Sequence, residues 1–184
     1  MIERVPNKER VEVLGRLSFY DFRSCSLISG QEAIITLSEE ENTRYCDVCL
    51  YPDDKDIRRR YYRRERSLIG LFSKMVVPLR EMYLLNDGER WIVNKRIAPQ
   101  LNKLLYMYGI GDRDTMLKIS ALSEAVAFLK SILRYNSFAF FLFPQEQLVI
   151  APTDHMDIFI FGKDDHAFHH VINEIAGLRG YSMV

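Results

Sequence analysis

The chain has 184 residues, 48% hydrophobic and 27% charged, which fits one globular domain and excludes a disordered or fibrous chain. Lys plus Arg and Asp plus Glu each total 25, giving a formal charge of zero, so any nucleic-acid binding has to rest on a local patch rather than on a global field. Three cysteines, an odd number in a chain long enough to build a core, argue against a disulfide framework and favour free thiols in reducing, cytoplasmic surroundings.

The first ten residues are charged where a secretory leader needs an apolar run, and no stretch approaches the roughly 18 apolar residues of a membrane span. No membrane association is expected. Apolar Val11, Leu14 and Leu17 between charges predict a short amphipathic helix from Asn7 to Tyr20, after Pro6. Cys25–Ile28 and Ala33–Leu37, divided by Ser29-Gly30-Gln31-Glu32, read as a hairpin. Glu39-Glu40-Glu41-Asn42 reads as a solvated loop without a catalytic role, and Arg44–Tyr51 as a strand ended by Pro52.

Asp53 and Asp54 can cap a helix running toward Lys74, with Ile57, Tyr61, Leu68 and Phe72 along its apolar face. Met82–Leu85 and Arg90–Val93 flank Asn86-Asp87-Gly88, a turn signal for a second hairpin. Helices are expected over Ile97–Tyr108 and Thr115–Tyr135, the latter with a broad stripe that includes Leu117, Leu129 and Leu133. Phe138–Phe143, Leu148–Ala151 and Met156–Phe161 then form a β-meander, followed by a helix over Asp164–Ala176. These three strands are apolar on both faces, so packed structure is expected on each side. Together the elements predict one α+β domain over residues 1–184: a mostly antiparallel sheet of hairpins and a C-terminal meander, packed with about five helices.

Four polar constellations stand out. Arg58-Arg59-Arg60-Tyr61-Tyr62-Arg63-Arg64-Glu65-Arg66 carries six arginines around two tyrosines. Its Arg59, Arg60, Tyr62, Arg63 and Arg66 could anchor an acidic protein partner, or grip phosphates and stack on bases. A solvated helix face with arginines paired one turn away is the commoner meaning of such a run.

Asp154, His155 and Asp157 open an otherwise apolar strand, where a carboxylate needs a cation, a hydrogen-bond network or water. Functional sites are one reason for such an exception, which makes these three candidate binding residues, although a turn beside the strand would account for them without any function. His155 and Asp157 could also join His166 and His170, which share a helix face, around a divalent ion. The zinc-protease pattern itself is excluded, because Ala167 occupies the position of its general base. Cys46 and Cys49 have Cys-x-x-Cys spacing, but three residues apart on a strand their sulfurs would diverge.

The sequence holds no Gly-rich phosphate loop, no Gly-x-Ser-x-Gly elbow and no dinucleotide fingerprint. The resulting expectation is a non-enzymatic protein-binding module without a cofactor, inhibitory or toxin-neutralising in the manner of an immunity protein. The alternatives are a metal-assisted hydrolase built on the His/Asp set and an RNA-binding protein using the arginine-rich helix.

Overall fold

The computed structural model describes residues 1–37, 43–86, 91, 99–111, 114–135, 139–163, 165–175 and 181–183. Its strands are β1 (Ile2–Arg4), β2 (Tyr20–Asp21), β3 (Ser26–Leu27), β4 (Gln31–Leu37), β5 (Met82–Asn86), β6 (Met116–Ile119), β7 (Ala139–Phe143), β8 (Leu148–Pro152), β9 (Ile158–Gly162) and β10 (Tyr181–Met183). Its helices are α1 (Asn7–Arg16), α2 (Tyr45–Leu50), α3 (Lys55–Val76), α4 (Pro99–Met107), α5 (Leu122–Tyr135) and α6 (Asp165–Ile175).

Eight strands form one sheet in the order β1-β6-β5-β7-β8-β9-β4-β10, and every neighbouring pair is antiparallel. The α+β class and the C-terminal meander are as expected from the sequence.

Period-two alternation sorts each strand between two cores. Leu84, Leu117, Phe141, Phe143, Ile150 and Ile160 face one way and pack with apolar residues of α2 to α6. Tyr83, Met116, Phe140, Leu142, Val149 and Phe161 face the other way, beneath Val13 of α1, its C-cap residue Leu17 and Tyr20 of the separate β2–β3 sheet. The meander strands are apolar on both faces for that reason. Among the described residues no helix is long and apolar enough to cross a membrane.

Several local expectations are corrected. Ser26–Leu27 pairs back with Tyr20–Asp21 instead of with β4, whose two edges are taken by β9 and β10. The Tyr20 ring packs on Phe140 and Phe161, centroids 5.7 and 4.5 Å away, and so holds this small hairpin on the sheet. Residues 45–50 are helical instead of extended: Tyr45 and Val48, three apart, both turn into the core, and Asp47 accepts a hydrogen bond from the Arg44 N–H at 2.8 Å.

Residues 116–119 form β6, and the helix expected from Thr115 begins only at Leu122. Leu117 and Ile119 point to one core and Met116 to the other, a strand pattern that merges with the helical stripe downstream. β5 pairs with β6 on one edge and with β7 on the other. Asp87, Gly88, Arg90, Ile92 and Val93 of the expected second hairpin, and the acidic loop at 39–42, lie outside the described residues. In α1 Val13 is buried and Val11 is exposed, and the C-cap residue Leu17 is buried.

Candidate functional site: the cationic ridge of α3

Asp54 begins α3 by accepting hydrogen bonds from the Asp56 and Ile57 N–H groups at 2.8 and 3.0 Å, which satisfies two otherwise orphaned donors. Tyr61, Leu68, Phe72 and Met75 are buried and fix the rotation of the helix. That rotation decides which arginines meet solvent. Arg64 turns inward, whereas Arg58, Arg59, Arg60, Arg63 and Arg66 are exposed.

At 100° per residue, Arg59, Arg60, Arg63, Arg66 and Lys74 fall on one stripe, together with Ser67 and Gly70. From Arg58 to Lys74 the helix has a single acidic residue, Glu65, and it is buried. Every charged residue on the exposed face beyond the first turn is therefore a cation, with four arginines between Arg59 and Arg66 and Lys74 farther along, over about 22 Å.

The expected salt-bridge compensation is sparse. Arg59 approaches Asp56 at 3.6 Å, Arg58 reaches the Pro52 carbonyl at 3.4 Å, and Arg66 donates to the Tyr62 carbonyl at 3.1 Å. Arg60 and Arg63 make no ion pair or hydrogen bond among the described residues.

The tyrosines of the run do not share this face. Tyr61 is fully buried, and Tyr62 is half-buried with its ring 5.3 Å from that of Tyr61 and 5.8 Å from the Arg134 guanidinium. Glu65 lies on the apolar stripe and forms a double contact with Arg134 of α5. Burial, and next the Glu65 charge, push the Tyr61 hydroxyl above its ordinary range. A glutamate inside the Tyr61–Leu68–Phe72 stripe was the sequence signal for such a partner.

The second cluster sits at the β8–β9 turn. Asp157 accepts from the Thr36 hydroxyl of β4 at 2.8 Å, while its carbonyl accepts from the Thr153 N–H at 2.9 Å. Its carboxylate thus ties the turn to the neighbouring strand. Met156 adopts φ +65 and is fully buried, which leaves His155 at the exposed tip, 3.7 Å from Asp154.

His166, His169 and His170 are exposed on α6, whose Phe168 and Val171 face the core. Among the described residues no three His, Cys, Asp or Glu gather closely enough to hold a metal ion. Cys46 and Cys49, expected to diverge, share the outer face of α2 because that segment is a helix, and both are exposed.

One cluster gave no signal in the sequence. Where α1 crosses the sheet, a crevice of about 470 Å³ is lined by Glu9, Glu81, Tyr83 and Lys118 among others. Lys118 donates to Glu81 at 2.8 Å and Tyr83 donates to Glu9 at 2.8 Å. The Lys118 hydrogen bond lowers the Glu81 pKa, and the same bond raises that of Lys118. These residues come from three segments distant in sequence, at Glu9, at Glu81 and Tyr83, and at Lys118, and satisfy one another.

No protein-family model, curated protein or solved structure matches this chain.

Proposed function

We propose that the protein is a non-enzymatic protein-binding module of the cytoplasm that docks an acidic surface of its partner through the ridge of Arg59, Arg60, Arg63 and Arg66. The reading extends to an inhibitory or toxin-neutralising role, in which covering that acidic surface blocks the partner. The observation that supports it is the cationic face of α3, on which Arg60 and Arg63 make no ion pair among the described residues, on a chain with no net charge. Arginine forks suit carboxylate-rich surfaces, and their charge speeds encounter with an acidic partner. The same ridge could meet phosphates, but Tyr61 is buried and Tyr62 is half-buried against Tyr61 and Arg134, which leaves little aromatic surface for the base stacking that single-stranded RNA uses.

The test is capture from native host lysate by wild-type protein and by the Arg59→Glu/Arg63→Glu variant, with and without nuclease. One dominant acidic protein that survives nuclease, is lost from the variant and is released by moderate salt supports the reading. Loss of all bound material on nuclease treatment moves the ridge to nucleic acid. Equal capture by wild type and variant removes the ridge from the interface.

A further inference from the structure

On the sheet face opposite α3, α1 and the β2–β3 hairpin do not close over the strands. A cavity of about 580 Å³ remains between them, within the range of small-molecule sites. Its aromatic wall is the half-buried ring of Phe22, backed by the buried rings of Tyr20 and Phe140. The ring centroids lie 5.0 Å apart for Tyr20 and Phe22, 5.4 Å for Phe22 and Phe140, and 5.7 Å for Tyr20 and Phe140. Tyr20 and Phe140 belong to the core, so this wall is held by packing.

The polar groups around the cavity are few and unequal in sign. Arg10 and Arg23 line it, and among the described lining residues Asp21 is the one carboxylate. Asp21 is already committed, because one of its oxygens accepts from the Arg23 N–H at 2.9 Å and the other from the Ser24 hydroxyl at 2.7 Å. Arg10 is positioned by a single bond from Nη1 to the Thr115 hydroxyl at 2.7 Å, which leaves the rest of its fork free of that contact.

We propose that this cavity binds a small molecule with a planar aromatic ring and a carboxylate or phosphate, the ring lying against Phe22 and the anion meeting Arg10 and Arg23. Aromatic rings prefer offset or edge contacts with such a wall. A guanidinium recognises either anion through paired N–H donors. The site is independent of the α3 ridge, which lies in the helical layer on the other face.

The experiment is calorimetric titration of the full chain with anthranilate and with AMP, each beside its uncharged counterpart, aniline or adenosine. Saturable binding of at least one anion is expected, about tenfold tighter than its neutral counterpart and about tenfold weaker in Arg10→Ala and in Arg23→Ala. Arg23 is exposed, so its variant keeps the fold and stands as the control for any loss of structure in Arg10→Ala. Preference for anthranilate assigns a carboxylate ligand, and preference for AMP a phosphate one. Equal affinity for charged and neutral forms, unchanged binding in Arg23→Ala, or no saturable binding by either anion at millimolar concentration overturns the proposal.

Discussion

Arg134 on α5 holds both carboxylate oxygens of Glu65 on α3, with the side chains only 18% and 5% exposed. The Arg134 guanidinium also lies over the Tyr45 and Tyr62 rings, 5.7 and 5.8 Å from their centroids, so one cation joins α2, α3 and α5. Removing one partner leaves a buried charge unmatched. Arg134→Ala is expected to cost about 3 kcal/mol of stability by urea denaturation, whereas Glu65→Leu/Arg134→Met costs well under the sum of its single changes. Additive single and double variants would show that the pair is not coupled.

Two glycines should respond to alanine with opposite signs. Gly30 has φ +111, and an added Cβ would collide with the Gly162 carbonyl at the start of β4. Gly30→Ala is expected to lose roughly 2 kcal/mol. Gly70 lies on the exposed face of α3 with nothing within 4 Å of an added Cβ. Gly70→Ala is expected to gain about 0.5–1 kcal/mol, since glycine is the poorer helix former. Thermal melts of both variants decide this, and a destabilised Gly70→Ala would contradict the exposure assigned to that face.

The parts of the fold written in short range were legible in the sequence. Asp54 caps α3 as expected, and the meander strands stand close to where their apolar runs place them. Tyr45 and Val48 suited a strand as well as a helix, and the helix is held by the Asp47 cap and by packing of Val48 in the core and of Tyr45 on Tyr61, centroids 5.3 Å apart. Met116–Ile119 was hidden because its apolar residues ran into those of α5. The partner of Asp157 could not be read at all, since Thr36 is 121 residues away. The arginine run was visible, but its division into an inward Arg64 and an outward ridge needed the phase of the whole helix.

Acid should weaken the pairing of Glu81 with Lys118 of β6 beside the α1 crevice. The Lys118 hydrogen bond lowers the folded-state pKa of Glu81, so its stabilising contribution is complete above the unfolded value of about 4.3 and is lost as pH falls through the folded value. Lys118 is raised by the same bond, so its contribution is present below about 10.4 and fades as pH rises through the folded value. Glu81→Gln should melt lower than wild type near neutrality, with the gap narrowing between about pH 5 and about pH 3. A gap that stays constant over that interval would detach Glu81 from the acid response.

Cys46 and Cys49 lie three residues apart on one exposed helical face, where neighbouring Cβ atoms are about 5–6 Å apart. Phenylarsine oxide, which bridges two nearby thiols, should add once per chain by intact mass. It should be lost from both Cys46→Ser and Cys49→Ser. A stable adduct in either variant would place the reacting pair elsewhere.

The sheet order has a consequence for how the chain is made. β4 lies between β9 and β10, and Thr36 of β4 meets Asp157 across 121 residues of chain. A ribosome therefore releases β4 long before either of its neighbours exists. The helix α3, with its local contacts and its own cap, can form as it emerges, but β4 remains an unpaired apolar strand until β9 arrives. Synthesis thus includes a long interval in which the strand is open to wrong partners, and closure of this half of the sheet is a late, topology-limited event.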